Sequence, residues 1–386
     1  MKAKATKKYL IIIAILTAAA TALALTSCNS GGSSSSSGAS SSQSASQDET
    51  KAETTAAATT SAASKKLAES DIKINDTIEN SADGEHAITA DGETKTISNT
   101  LVTKTGEADG DEADFYGENS AIFATNGGTL NLSDMVVKTD GTHANAVFSY
   151  GEGTTVNISN SYIETSGNCS GGLMTTGGGT MNAENLTITT SGNSSAAIRS
   201  DRGGGTVTVT GGYYTTSGKG SPVIYSTADI TVNDATMTST ASQGVVVEGK
   251  NSVTLNAANQ IINGDMIVDS VSNLNLYLKS GSAFTGAINS DGQAGEVYVE
   301  IEDGSTWTLT GDSYVTSLTC GTGAIKLNGH KLYVNGKEYT EGTASTGTAI
   351  EVKSTGGSGA PDSPPDGKPG ENGGSGGTPP AKPGEN

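Results

Sequence analysis

Between Ile72 and Tyr339 apolar and polar positions alternate with a period of two, as in Leu130-Asn131-Leu132, Val156-Asn157-Ile158, Val207-Thr208-Val209, Ile230-Thr231-Val232 and Val253-Thr254-Leu255. Such alternation predicts short half-buried strands and not helices. Each of these strands keeps company with two further apolar centres, one represented by Val102, Val137, Ile163, Ile188, Tyr214 and Met237, the other by Ile122, Val147, Leu173, Ile198, Ile224 and Val247. A short phrase punctuates them: Lys104-Thr105-Gly106, Thr139-Asp140-Gly141, Thr165-Ser166-Gly167, Thr190-Ser191-Gly192 and Thr216-Ser217-Gly218. Its glycines are separated by 35, 26, 25 and 26 residues. A fixed period in this range means one unit stacked on copies of itself, each unable to bury its apolar face alone. Three strands per turn of about 25 residues predict an all-β, single-stranded parallel β-helix, a solenoid. The 3.6 periodicity of helical solenoids and the Leu and Asn ladder of leucine-rich repeats are both missing.

The pattern also sets the domain limits. Residues 71–340 are expected to form the β-helix, because the alternation persists only there. Within 28–70 the stretch from Asn29 to Ser64 is nearly all Ser, Ala, Thr, Gly and Gln, and 341–386 are rich in Pro and Gly. Neither stretch can bury enough apolar surface to offset its chain entropy, so a disordered N-terminal tether and a disordered C-terminal tail are expected.

Residues 1–27 look like an export signal. Lys2, Lys4, Lys7 and Lys8 precede an apolar run from Leu10 to Leu25, too short and too rich in Ala for a comfortable membrane span. The run ends in Leu25-Thr26-Ser27-Cys28, which resembles the lipobox of bacterial lipoproteins. That resemblance implies that Cys28 becomes the lipidated first residue. The protein would then sit on the extracellular face of the bacterial cell membrane, with the membrane as a partner through its N-terminal lipid.

Charge and cysteines narrow the picture. The formal net charge of −19 disfavours nucleic acid or an anionic lipid surface as a partner. Beyond Cys28 only Cys169 and Cys320 remain, about six coils apart on the expected stack and too distant for a disulfide.

Three sets of residues could carry function. If Ile122, Val147, Leu173, Ile198 and Ile224 point inward, then Phe123, Phe148, Met174, Arg199 and Tyr225 point outward and stack as a ladder at ~4.8 Å per coil. An exposed apolar stripe on an acidic, polar protein marks an interaction site, and flat aromatic ladders suit sugar rings or an extended partner strand. The other reading places the ladder under a long loop or in the core. The widened gap after Gly106 holds Asp109, Asp111, Glu112 and Asp114, oxygen donors suited to Ca2+, with a solvated loop as the alternative. The chain's two arginines, Arg199 and Arg202, flank Asp201. His86, His143 and His330 are isolated, and neither a His-Glu-x-x-His nor a Gly-x-Ser-x-Gly motif is present, so no catalytic residues are assigned.

The later coils carry a further pair. Leu274-Asn275-Leu276-Tyr277-Leu278 is followed by Phe284, and Val297-Tyr298-Val299-Glu300-Ile301 by Trp307, which puts the two rings in equivalent positions. The run from Ser305 through Trp307 and Tyr314 to Leu318 resembles the Trp-containing stretch near the C-terminal end of pertactin-like autotransporter passenger β-helices. The repeat style of 95–340 resembles adhesin-like β-helical surface proteins. These resemblances imply a right-handed helix and an adhesin-like function, with a face offered to glycans, to cell-wall or extracellular polysaccharide, or to a host surface protein. The alternative is a β-helical polysaccharide lyase or glycoside hydrolase.

Overall fold

A computed structural model of the chain describes residues 66–226, 229–247, 252–292 and 295–351. The expected export signal, Cys28, most of the expected tether and most of the expected tail lie outside them. The described chain is a parallel β-solenoid that visits three sheets in rotation. Face one begins at Asp76–Asn80 and carries eleven strands; face two begins at Ile88–Asp91 and carries eight; face three begins at Thr94–Ser98 and carries ten. Pairing on all three faces is parallel and in register, so one position of the repeat occupies one column along the stack.

The inward columns are the apolar centres of the sequence. Val137, Ile163, Ile188, Tyr214 and Met237 line face one, and Ile122, Val147, Leu173 and Ile198 line face two, all essentially inaccessible to solvent. Each such side chain contributes about 1.5–3 kcal/mol when fully buried. Near the C-terminal end Phe284 and Trp307 stack inside the coil with centroids 5.6 Å apart, and the Trp307 indole N–H donates to the Gly286 carbonyl at 2.9 Å. Among the described residues Cys169 and Cys320 form no disulfide with each other.

The repeated phrase is explained at the corner between faces one and two. Gly141, Gly167, Gly192 and Gly218 are needed for close approach: a Cβ on any of them would collide with the backbone carbonyl of the glycine one coil below. Ser170, Ser195 and Ser221 complete the corner, each hydroxyl donating to the glycine carbonyl of the coil beneath at 2.7, 3.1 and 2.7 Å. Between faces three and one the chain turns through a left-handed residue in each coil, including Asn99, Asp134, Asn160, Asn185, Asp234 and Asn259 with φ of 47 to 55°. Asn and Asp are the side chains that tolerate this conformation best.

The ordered chain runs further than its composition suggests. Ser345 bridges to Cys320, and Ile350 exchanges hydrogen bonds with the Asn275 amide at 2.8 and 2.9 Å, so 345–350 lie against the last strands of face three. This segment belongs to the body of the solenoid and not to the tail expected from residue 341.

Candidate functional site

The expected outward column on face two exists in register. Phe123 pairs with Phe148, Phe148 with Met174, Met174 with Arg199 and Arg199 with Tyr225. Its exposure is what differs from the ladder reading. Phe123 is 1% exposed, Phe148 0% and Met174 0%. The residues inserted after Gly106 fold over them and form a short helix, α1 (Asp111–Tyr116), ended by Gly117 in the left-handed conformation. Tyr116 from α1 and Tyr150 from face two close the cluster, edge to face at 5.9 Å, while Phe123 and Phe148 lie 5.9 Å apart. His86 stacks on Phe123 at 4.4 Å, and its Nδ1 lies 2.8 Å from the Ser120 carbonyl. Burial pushes the His86 pKa down and that of Tyr150 well up. The column is therefore a second, outer core beneath a cap, and a sugar cannot rest on its first three rungs.

An ion cluster pins the cap. Asp114, on α1 and only 5% exposed, pairs with Arg199 through one carboxylate oxygen and accepts the Asn145 amide at 2.9 Å through the other. Arg199 also pairs with Asp201 at 2.7 Å. Burial opposes the charge on Arg199, but Asp114 and Asp201 outweigh it and hold the guanidinium protonated far above the usual range. The Thr176 hydroxyl adds a 2.8 Å bond to the Phe115 carbonyl. This corrects the metal reading for Asp114, whose oxygens serve Arg199 and Asn145. Asp109 is exposed, and Asp111 and Glu112 open the helix. Among the described residues no group of three acidic, His or Cys side chains could hold a metal ion. The partnership of Asp114 with Arg199 gave no signal in the sequence, since 85 residues separate them.

Past Arg199 the column comes into the open: Tyr225 and Val246 are half-buried and Ile267 is 36% exposed. Tyr225 takes the Arg199 guanidinium over its ring at 5.1 Å.

Face three is the contrasting surface. Its central outward column runs Thr96, Asn131, Asn157, Asn182, Thr208 in register, and the amides are linked: Asn182 donates to Asn157 and Asn157 to Asn131, both at 2.9 Å. Rows of small polar residues flank it, Thr129, Thr155 and Thr180 on one side and Ser133 and Ser159 on the other. The amide column, Ser133 and Ser159, with Glu184 and Thr210, line a shallow groove of about 590 Å3. The asparagines at 131, 157 and 182 recur at the repeat period in the sequence, so the ladder was visible there as the polar residue of each alternating triplet.

No protein-family model, curated protein or solved structure matches this chain.

Proposed function

We propose that this protein is a cell-surface, adhesin-like binding protein, anchored through lipid on Cys28, that holds a glycan on the open groove of face three. The observation that carries the reading is the amide ladder of Asn131, Asn157 and Asn182 on the floor of that groove. An amide offers donors and an acceptor on one rigid plane, which suits the hydroxyl-rich edge of a sugar. Linked amides are also fixed in orientation before a ligand arrives, which reduces the ordering cost of binding. The coil spacing of ~4.8 Å presents one such plane per rung, so an extended chain would lie along the solenoid axis. The parallel β-solenoid is an architecture compatible with adhesins and with polysaccharide-degrading enzymes alike. Against the second use, Asp114 and Asp201 are both engaged by Arg199, which leaves neither free as a catalytic carboxylate.

The full chain on an array of neutral and acidic glycans is expected to retain a subset, and Asn157→Leu is expected to weaken that retention about tenfold or more, since it breaks the ladder at its centre. Thr215→Leu, on face one, should leave it unchanged. Equal retention by Asn157→Leu removes face three as the binding surface. Unsaturated uronate absorbance appearing in the same wells would favour the lyase reading.

The anchor has its own test. With Cys28→Ala, labelling of the cells with an alkynyl fatty acid is expected to leave the protein unlabelled and shed or unprocessed, because only the thiol can take the diacylglycerol. Label persisting in that variant would end the lipoprotein assignment.

A further inference from the structure

We propose that Arg202 and Phe115 form a carboxylate-binding site at the rim of the cap, separate from the groove on face three. Both arginines of the chain converge on the Phe115 ring, Arg199 at 5.6 Å and Arg202 at 3.6 Å from its centroid. Their situations differ. Arg199 is saturated by Asp114 and Asp201. Arg202 donates its backbone N–H to Asp201 at 2.8 Å, but among the described residues its guanidinium has neither an ion pair nor a hydrogen bond. The two nearby acids are consumed by its neighbour, in a chain whose acidic residues otherwise outnumber basic ones 41 to 22.

The stacking decides what the free guanidinium can do. A guanidinium lying on a ring turns its N–H groups outward in the plane of the fork, the geometry that receives both oxygens of a planar carboxylate. Phe115 is itself held, by its place on α1 and by the Thr176 bond to its carbonyl, so the fork is set before a ligand arrives. The next two residues, Gly203 and Gly204, carry no side chain that could fill the approach. The ligand chemistry is a carboxylate; a free organic acid and a uronic acid unit of a glycan both present one.

Titration calorimetry of the full chain with glucuronate, acetate, glucose and inorganic phosphate tests this. Saturable heat is expected with a carboxylate and none with glucose. Arg202→Ala should weaken binding at least about tenfold with only a small fall in Tm, because among the described residues it breaks no ion pair of the side chain and gives up the stack on Phe115. Arg202→Lys, which keeps the charge without the fork, should be weakened as well. Glucuronate binding tighter than acetate identifies the sugar acid as the source, and equal affinities identify the free acid group; either upholds the site. Absence of saturation by both carboxylates, unchanged affinity in Arg202→Ala, or tighter binding of phosphate would overturn it.

Discussion

Gly192→Ala is expected to lower the melting temperature of the full chain by about 5 °C, a loss of roughly 3 kcal/mol in a body of this size. The added methyl would sit 2.5 Å from the Gly167 carbonyl carbon and closer still to its oxygen. The obstacle is backbone, fixed in turn by the Ser195 hydroxyl that donates to the same oxygen at 3.1 Å. Relief therefore requires the two coils to part at that corner, which strains the strand pairing on both adjoining faces. Gly281→Ala is the matched comparison. Gly281 has a φ of 81° and open space around the Cβ position, so its cost is the left-handed backbone alone, about 1–2 kcal/mol. Thermal melts of the two variants should differ clearly, with Gly192→Ala the lower. Equal melting would show that coil spacing at the Thr-Ser-Gly corner is soft.

That corner is legible in the sequence, because the stack forces each coil to repeat the residues its neighbour needs. The same logic revealed the inward columns, the stacked Phe284 and Trp307, and the register of Phe123, Phe148, Met174, Arg199 and Tyr225. What periodicity does not encode is anything that breaks it. The insertion after Gly106 has no counterpart in other coils, so its charged residues suggested a metal loop, and only the fold shows Asp114 turned inward onto Arg199. The segment 345–350 is similar: its return to Asn275 spans 75 residues and depends on backbone groups, which composition does not display. The column on face two was thus correctly aligned, and its rungs Phe123, Phe148 and Met174 are covered where the ladder reading had them open, because alignment is a local property and cover is a long-range one.

The cap supplies the second large effect. Asp114→Ala is expected to cost about 3–5 kcal/mol, the range for removing one partner of a buried charge cluster. It leaves Arg199, with a side chain 14% exposed, sharing Asp201 alone, and it strips the Asn145 amide of its acceptor. Because this residue joins the Thr176 bond to Phe115 and the packing of Tyr116 in holding α1 to face two, the cap should loosen and uncover Phe123, Phe148 and Tyr150. The variant should then melt lower and bind a hydrophobic dye such as ANS, which reports newly accessible apolar surface. Phe148→Ser makes the complementary test, since a phenylalanine with no exposure should cost about 3–5 kcal/mol when truncated, whereas a ladder open to solvent would lose almost nothing. The pair separates two questions. If Phe148→Ser destabilises and Asp114→Ala does not, the column is covered but the ion cluster does not hold the cover. If neither lowers the melting temperature, the aromatic ladder is open to solvent and returns as a candidate sugar-binding surface.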